Sequence, residues 1–467
     1  MDVRVKFLGG AQTVTGSKYL LEINDYKLLV DCGLFQGLKD LRLRNRDPLP
    51  VDPSSIDSII LTHAHLDHSG YLPRLFKDGY DGDVHCTAPT VDLVELLLKD
   101  SAKIQEEEAE FARRKGFSIH KNPEPLYNQK DVELVIPRLS GHSYHEEVSI
   151  AENISCSFYN AGHILGAAIV VITISGNSQT KKIVFSGDLG RIHDPILHPP
   201  ESVSEADILF IESTYGSREH NEETPESEIV QIINDTIQRK GCLLIPAFSV
   251  GRTQNILMIL KHLLSKNSIP DIPVYMDSPM AIRATDLYRK YVSYHKLSTS
   301  EIEGDDSFIS LRKNLKIIRS HEDSKALNEL KGPAIIISAS GMMTGGRILH
   351  HMYNRLGNKQ DAILIVGYQA LGTRGRRILD GEDSVRIFGQ DVEIKCKIHF
   401  ADGMSAHADQ SELLDWCKGF KDKPKYTFCI HGDNDGPTTL ASKLKTEFGW
   451  NAEVPDYLES FHLFQSI

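Results

Sequence analysis

The segment IILTHAHLDHSG, residues 59–70, constrains this chain more than any other stretch of the sequence. An apolar run, typical of a buried strand, leads directly into His63, His65, Asp67 and His68. Alternate residues of a strand share a face, and a strand that ends in a loop can turn four such side chains toward one point. Imidazole nitrogen and carboxylate oxygen are ligands of zinc, iron and manganese. The pattern therefore predicts a metal site, and a loop of solvated histidines is the alternative.

Three later segments repeat this design, in which an apolar strand ends in a candidate ligand. SCSFYNAGHILG supplies His163, KIVFSGDLG supplies Asp188 and YTFCIHGDND supplies His431, each beside a glycine that permits a tight turn. Taken alone, each fits a structural loop residue equally well. One ordinary site needs about three or four protein ligands, so the full set predicts two metal ions with a shared carboxylate and room for water. The candidate ligands are His63, His65, Asp67, His68, His163, Asp188 and His431.

Length and composition limit the classes of protein. The 467 residues are too many for one ordinary core and predict two or three domains. A net charge of −12 excludes a uniformly basic nucleic-acid binder, so any nucleic-acid contact requires locally concentrated positive charge. The seven cysteines form no C-x-x-C pair, which favours a reducing compartment and argues against cysteine-ligated zinc. With no secretion signal and no apolar run near the ~20 residues of a membrane span, a cytoplasmic protein without membrane contact is expected.

The pattern of strands and helices changes twice along the chain. Short strands separated by turns dominate the first part, and strands alternate with helices after about residue 212. Such alternation predicts a parallel α/β unit. The sequence becomes strand-like again near residue 392. We therefore expect an α/β domain at 213–391, inserted into a first domain that comprises 1–212 and 392–467.

The ligand pattern carries a family resemblance. H-x-H-x-D-H, followed by such a His, Asp and His, resembles the metallo-β-lactamase fold, which implies an αββα sandwich. The resemblance also implies that Asp31, in LLVDCG, supports the ligand loop from behind. It assigns His63, His65 and His163 to one zinc ion, Asp67, His68 and His431 to the other, and Asp188 to a bridging position.

The long segment between Asp188 and His431 narrows the resemblance. It resembles the β-CASP nucleases, whose lactamase fold carries an inserted α/β domain. Their motifs match LFIESTYG, which supplies Glu212, GMSAHAD, which supplies His407, and CIHGD, which supplies His431. The opening GGAQTVTGS also resembles the RNA-processing members, such as the endonuclease subunit of the cleavage and polyadenylation factor and its homologues. One departure is H-G-D at the last motif, where the family usually has H-G-E.

The resemblance implies a zinc-dependent, endonucleolytic ribonuclease that hydrolyses phosphodiester bonds of single-stranded RNA with a hydroxide activated by two metal ions. His407 is the expected general acid, Glu212 is expected to orient it, and Asp67 is expected to be both ligand and proton acceptor. Alone, Glu212 and His407 also fit helix-capping roles. Two zinc ions are expected, although a His/Asp set accepts manganese as well. The alternatives are a DNA nuclease, a small-ester hydrolase on the same core, or a non-catalytic RNA-binding subunit.

Two strand–turn–helix segments are candidates for substrate binding. IIISASGMMTGGR and PAFSVGRTQN each place a glycine-containing turn before a helix, where backbone N–H groups can hold a phosphate. The run 341–377 contains six Lys and Arg residues against the single acid Asp361, which suggests a local basic surface on the inserted domain. The sequence leaves open whether the chain forms a homodimer. The expected RNA-binding residues are Ser340, Gly341, Ser405, Arg252 and Arg374.

Overall fold

The computed structural model describes residues 2–115, 123–176, 179–220, 225–302, 307 and 314–465. The chain divides into two compact units. The first unit comprises residues 1–194, 198–219 and 407–467. The second unit comprises residues 195–197 and 220–406. Each unit has its own sheets and its own buried core.

Two seven-stranded sheets form the first unit. One sheet has the order β22-β1-β2-β3-β4-β5-β6, and the other has the order β21-β20-β11-β10-β9-β8-β7. The strands of the first sheet are β1 Val3–Gly9, β2 Lys18–Ile23, β3 Tyr26–Val30, β4 Ser58–Ile60, β5 Asp83–Thr87, β6 Leu139–His142 and β22 Ser460–Phe464. Those of the second are β7 Glu147–Ala151, β8 Ile154–Asn160, β9 Ala168–Ser175, β10 Thr180–Phe185, β11 Ile208–Glu212, β20 Tyr426–Ile430 and β21 Ala452–Glu453.

The two sheets pack face to face because each presents an apolar side to the other. One buried cluster draws its residues from both sheets, including Phe7 of β1, Phe185 of β10, Phe210 of β11 and Phe428 of β20. The rings of Phe185 and Phe210 are stacked, with centroids 4.2 Å apart. Burying such aromatic side chains removes large apolar areas from water, at roughly 25 cal/mol per Å².

Helices accompany both sheets, as an αββα sandwich requires. Helix α5 contacts both α3 and α4, and α4 contacts β5 and β6, whereas α14 contacts β20 and β21. This is the arrangement that the sequence predicts. The helices of this unit are α1 Lys39–Arg44, α2 Leu66–Ser69, α3 Leu72–Lys77, α4 Ala88–Lys115, α5 Gln129–Val135, α13 Gln410–Cys417 and α14 Gly436–Phe448.

The second unit is built on a parallel sheet with the order β14-β13-β15-β12-β16-β19. Every neighbouring pair in it is parallel, as expected for strands that alternate with helices. Its strands, with the separate hairpin β17–β18, are β12 Cys242–Pro246, β13 Val274–Asp277, β14 Leu315–Ile317, β15 Ala334–Ser338, β16 Ala362–Ile365, β17 Ser384–Ile387, β18 Gln390–Glu393 and β19 Lys397–Phe400. Its helices are α6 Pro225–Gln238, α7 Arg252–Ser265, α8 Pro279–Lys290, α9 Thr299–Ile302, α10 His321–Ala326, α11 Arg347–Arg355 and α12 Arg374–Leu379.

The limits of the units differ from the expected domain limits at 212/213 and 391/392. The first unit extends to Glu219, and the second continues to Ala406. The second difference arises because β19 pairs in parallel with β16 and so belongs to the second sheet. No helix within the described part of the chain is both long and apolar enough to span a membrane.

Candidate metal centre

The seven predicted ligands lie at carboxyl ends of neighbouring strands in the first unit. His63, His65, Asp67 and His68 follow β4, and β4 runs parallel to β3. The other three ligands follow strands of the second sheet, with His163 after β8, Asp188 after β10 and His431 after β20. Those strands point the same way, because β10, β11 and β20 are parallel and β8 is separated from β10 by one antiparallel strand. Parallel alignment therefore collects the ligands at one edge of the sandwich.

The first donor group consists of His63, His65, His163 and Asp188. His63 Nε2 lies 3.1 Å from His65 Nδ1, and His163 Nε2 lies 3.2 Å from the same atom. Asp188 Oδ2 lies 3.4 Å from His63 Nε2 and 3.6 Å from His163 Nε2. Two ligands about 2.0–2.1 Å from one tetrahedral zinc ion lie roughly 3.3 Å apart. These separations therefore suit donors that share one ion.

The second group consists of Asp67, His68 and His431. His68 Nε2 lies 3.2 Å from His431 Nε2, and Asp67 Oδ2 lies 3.6 Å from the same His431 atom. Asp188 faces this group through its other oxygen, since Oδ1 lies 3.3 Å from His68 Nε2 and 3.2 Å from His431 Nδ1. One oxygen of Asp188 thus faces each donor group.

Asp31 holds the ligand loop from behind. Its carboxylate accepts a hydrogen bond of 2.8 Å from the Thr62 backbone N–H, and lies 2.8 Å from His68 Nδ1. The Thr62 hydroxyl donates to the same carboxylate and lies 3.1 Å from His63 Nδ1. A carboxylate behind an imidazole fixes which ring nitrogen faces a metal. Thr62 is a supporting residue that the sequence analysis missed, although its position directly before His63 was a usable signal.

The backbone is unusual where it delivers these side chains. Asp31 and His431 have φ values of 60° and 46°, in the left-handed region that non-glycine residues rarely adopt. His431 is held there by a hydrogen bond of 2.7 Å from its N–H to the Gly10 carbonyl. Gly33 permits the close approach of the ligand loop, since a Cβ on it would lie 1.6 Å from the Asp67 carbonyl oxygen. Strained conformations of this kind concentrate at functional sites.

Burial and neighbouring charges shift the pKa values of the candidate ligands in different directions. Burial lowers the pKa of His63, and it lowers the pKa of His65 to about 4. Burial also acts on His68, but the neighbouring Asp188 and Asp31 outweigh it and raise the pKa of His68 to about 10. Burial raises the pKa of Asp188. Neutral imidazoles are what metal binding requires, and His63 and His65 are already in that form near neutral pH.

A metal fits the chemistry of these residues. Asp188 Oδ1 is buried and accepts no hydrogen bond from any residue that the structure describes. Five imidazoles and two carboxylates converge here. Five of these side chains are buried, with His63 fully buried and Asp188 2 % exposed, whereas His65 and Asp67 are partly exposed. Buried carboxylates and imidazoles in such numbers normally bind metal or pair with one another. The donor set is therefore suited to nitrogen- and oxygen-preferring ions such as zinc.

Glu212 and His407 form a third group with Asp188. His407 Nδ1 lies 3.1 Å from Glu212 Oε1 and 4.0 Å from Asp188 Oδ2. Glu212 is fully buried, and its carboxylate accepts hydrogen bonds from the backbone N–H groups of Leu189, at 2.7 Å, and Thr214, at 3.3 Å. Burial lowers the pKa of His407, but Glu212 outweighs this effect and raises it. The pair can therefore keep a protonated imidazole beside the metal ligands.

Two hydroxyl groups near this pair were also missed. The Ser186 hydroxyl accepts a hydrogen bond of 3.0 Å from the Glu212 backbone N–H, and the Thr214 hydroxyl lies 3.3 Å from His431 Nδ1. Both residues stand two positions from a predicted site residue, in the SGD and EST segments. Hydroxyl residues flanking candidate ligands were the available signal.

All five residues expected to bind the substrate lie in the second unit. Ser340 and Gly341 follow β15, and Arg374 joins the same loop by donating to the Thr344 carbonyl at 3.0 Å. Arg374 Nε also donates to the Arg386 carbonyl, so these two contacts fix the loop. Arg252, at the start of α7, is 6 % exposed, and Ser405 is 4 % exposed.

The basic run 341–377 is largely neutralised by acids of its own unit. Arg347 pairs with Asp277 at 2.6 Å, and Arg355 pairs with Asp361 at 3.3 Å. Arg376 pairs with Asp380 and Arg377 pairs with Glu382. Most of these cations are therefore engaged within the unit, and the local surplus suggested by the sequence is reduced.

Three family models match the chain. A Metallo-beta-lactamase superfamily domain matches residues 20–207, a Beta-Casp domain matches 253–378, and a Zn-dependent metallo-hydrolase RNA specificity domain matches 391–455. The first match lies within the first unit except for residues 195–197, and the Beta-Casp match lies within the second. The third begins in the second unit and continues into the first.

Curated relatives align over almost the whole chain. Ribonuclease TTHA0252 of Thermus thermophilus is 37 % identical over 446 residues, which cover 95 % of this chain and 96 % of the relative. Transcription termination factor FttA of Methanocaldococcus jannaschii is 30 % identical over 473 residues, which cover 99 % of this chain and 72 % of the relative.

A solved structure of a protein of unknown function from Enterococcus faecalis matches 99 % of this chain and 100 % of its own, with a TM-score of 0.52 and 14 % identity. That likeness concerns the fold alone. The αββα sandwich, the matched lactamase and Beta-Casp models and the relative with 37 % identity lead to one conclusion. The chain belongs to the β-CASP family of the metallo-β-lactamase superfamily.

Proposed function

We propose that this protein is a zinc-dependent ribonuclease that hydrolyses phosphodiester bonds of single-stranded RNA, cutting within the strand, in RNA processing or decay. The observation that carries the proposal is the convergence of seven metal-type donors with the Glu212–His407 pair in one buried centre. The relative named as a ribonuclease and the RNA specificity model support RNA as the substrate.

The residues present would hold two zinc ions, one in each donor group, with Asp188 shared. When bound, such ions lower the pKa of a water toward neutrality and neutralise charge on the phosphoryl oxygens. Manganese suits the same nitrogen and oxygen donors. Asp31 and Thr62 orient the imidazoles of His68 and His63 for this task.

His407 is the proposed general acid. Glu212 holds Nδ1 of the ring, so Nε2 is the atom proposed to deliver a proton to the leaving 3′-oxygen. Because Glu212 raises the pKa of His407, it favours the protonated imidazole, the form that can donate. The expected product carries a 5′-phosphate.

Asp67 is proposed to act as a ligand and as the acceptor of the proton from the attacking water. Burial alone would raise the pKa of its carboxyl group, but the hydrogen bond from His431 and the charge of His68 outweigh this and lower it. The side chain is therefore a carboxylate at neutral pH and can accept a proton transiently.

We propose Ser340, Gly341, Ser405, Arg252 and Arg374 as contributors to RNA binding. Their support is the glycine-containing loop after β15, whose conformation Arg374 fixes. The burial of Arg252 makes an indirect role, through the start of α7, the better-supported one for that residue. We also propose a cytoplasmic location, which is supported by seven buried cysteines that are all free thiols.

The deciding experiment compares end-labelled single-stranded RNA with single-stranded DNA of the same sequence. We expect internal cleavage of the RNA and little cleavage of the DNA, with 5′-phosphate ends mapped on the products. Cleavage of DNA alone would favour the DNA-nuclease alternative. Binding of RNA without cleavage, in protein loaded with zinc or with manganese, would favour a non-catalytic subunit.

A further inference from the structure

The segment around α1 presents a second group of basic side chains, in the first unit. The pattern differs from that of the run 341–377, because none of its four cations forms an ion pair with a residue that the structure describes. Two acids, Asp40 and Asp47, accompany them, which leaves a local positive surplus in a chain of net charge −12. The cations are Lys39, Arg42, Arg44 and Arg46.

An aromatic pair extends this basic segment. The Arg44 guanidinium lies 4.1 Å above the Tyr457 ring and 5.6 Å from the Phe35 ring. The centroids of Phe35 and Tyr457 are 6.2 Å apart, in an edge-to-face arrangement. A guanidinium stacked on an aromatic ring is a typical platform for a nucleic-acid base.

The platform is rigid because its inner ring is fixed. Asn45 accepts a hydrogen bond from the Phe35 backbone N–H at 2.9 Å and donates one to the Phe35 carbonyl at 2.7 Å. Lys18 Nζ lies 4.6 Å from the centre of the Phe35 ring, and a Cβ on Gly16 would lie 2.5 Å from that ring. Preorganised side chains lose little conformational entropy on binding.

Large apolar side chains surround the cations instead of being buried. Leu38, directly before α1, and Leu43, within it, are 45 % and 47 % exposed, and Leu458, beside Tyr457, is 40 % exposed. Single-stranded RNA presents phosphates and bases in alternation, so it is complementary to a surface that mixes cations with apolar and aromatic groups. An acidic protein segment would use the cations but would leave the stacked ring without a matching group.

The segment connects directly to the metal centre within the first unit. Cys32 N–H donates to the His68 carbonyl at 2.7 Å, and Leu34 N–H donates to the Leu66 carbonyl at 2.8 Å. The chain then passes through Phe35 into α1. An RNA strand bound at the ligands of α2 therefore has a continuous protein path toward the basic segment.

We propose that residues 38–46, Tyr457 and Leu458 form an RNA-binding surface, here called the α1 surface, which holds the substrate strand beyond the nucleotides at the metal centre. Lys39 and Arg42 contact phosphates, and Arg44 with Tyr457 stacks against a base. The inference rests on the proposed ribonuclease function. It predicts that a long RNA is bound more tightly than a substrate too short to reach α1.

The test uses the zinc-loaded full chain and the variant K39A/R42A, which removes two exposed cations that make no ion pair with described residues. With an RNA of about 20 nucleotides, we expect KM to rise about tenfold and kcat to stay unchanged. The slope of log Kd against log salt should fall by about 1.4, the value for two single-strand phosphate contacts. Hydrolysis of bis(p-nitrophenyl) phosphate, which cannot span the surface, should not change. The control K423A/K445A removes two exposed cations elsewhere in the first unit and should leave KM unchanged.

A second variant tests the stacking platform. Y457L should weaken binding of the RNA about tenfold, whereas Y457F, which keeps the ring, should bind like the wild type. The loss in Y457L should disappear with an oligonucleotide that lacks bases. An unchanged KM and salt slope in K39A/R42A would overturn the proposal and assign the α1 surface to an acidic protein partner. If the wild type does not cleave RNA, the proposed function fails, and anisotropy of labelled RNA still tests the surface.

Discussion

At the residue scale, the chemistry of this protein depends on pairs of side chains in which one group fixes the other. Asp31 lies 2.8 Å from His68 Nδ1, and Glu212 lies 3.1 Å from His407 Nδ1. In each pair a buried carboxylate engages one ring nitrogen. The other nitrogen of the ring is thereby directed toward its proposed task, which is metal binding for His68 and proton donation for His407.

The first prediction concerns His407. The variant His407→Ala should keep its metal content and lose kcat for RNA by about 10²–10⁴-fold, because general acid catalysis contributes about that much. Metal content is measured by elemental analysis, and cleavage by the end-labelled RNA assay. His193→Ala is a control that removes another histidine of the first unit. Cleavage at the wild-type rate in His407→Ala would remove this residue from the mechanism.

The second prediction concerns Asp31. The variant Asp31→Ala should weaken zinc binding about 10–100-fold, because His68 loses the carboxylate that orients it. Competition with a chromogenic chelator measures this affinity directly, without relying on activity. Asp25→Ala, at an exposed position after β2, is the matched control. Equal zinc affinities for the Asp31 variant and the wild type would show that the supporting hydrogen bond is dispensable.

At the element scale, a buried carboxylate ties together three elements of the second unit. Asp277, at the end of β13, lies 2.6 Å from Arg347 and His351 of α11 and 2.6 Å from the Ser324 hydroxyl of α10. Asp277 is fully buried, so its charge depends on these partners. Burial alone would raise the pKa of this carboxyl group, but hydrogen bonds from His351, Ser324 and Arg347 outweigh burial and lower it.

The third prediction is the pH dependence of this contact. A carboxyl group whose folded pKa lies below its unfolded value of about 3.9 stabilises the fold fully above that value. The contribution is lost as the pH falls toward the folded pKa. The variant Asp277→Asn should therefore be destabilised by about 3 kcal/mol at neutral pH, and the difference from the wild type should shrink below about pH 4.

Chemical denaturation followed at several pH values measures this difference. Asp286→Asn, at an exposed position of α8, is the control and should change stability little at any pH. A difference between the Asp277 variant and the wild type that grows toward low pH would contradict the assignment.

At the scale of the whole molecule, metal binding and the parallel sheet belong to different units. Within the described residues, all three groups of metal-type donors lie in the first unit. Their members are spread between residues 63 and 431, so an ion held by them would join distant parts of one unit. A ligand that binds only the folded state stabilises that state by RT ln(1 + [L]/Kd). This is about 4 kcal/mol when the free ligand concentration is 1,000 times Kd.

The fourth prediction follows from this division. Removal of metal by a chelator should accelerate hydrogen exchange in the loops after β4, β8, β10 and β20. Exchange in the second-unit strands β12, β13 and β15 should not change. Mass spectrometry of peptides from both units, with and without restored zinc, measures the effect. Equal acceleration in both units, or none in either, would be inconsistent with a metal confined to the first.

Much of the fold was predictable because its signals are local. Alternating strands and helices indicated the parallel sheet of the second unit, and the apolar strands that end in ligands indicated the sandwich. The end of the inserted unit was harder to predict from the sequence. Residues 392–406 look like a return to strand-rich structure, yet β19 pairs with β16. Pairing with a strand 35 residues earlier, as of Lys397 with Ala362, leaves no mark on the local sequence.

The sequence by itself determined the chemistry of this protein, because metal-ligand identity depends on residue type and on position at strand ends. The seven candidate ligands follow from such patterns, and Glu212 and His407 follow from the family motifs that the sequence matches. Only the tertiary structure decided how the two donor groups share Asp188. It showed that each oxygen of Asp188 faces a different donor group, and that Thr62 supports the ligand loop. It also showed that most cations of 341–377 pair with acids, while those of the α1 segment form no ion pair with a residue that the structure describes. These outcomes depend on distances between residues far apart in the chain, which residue order alone does not encode.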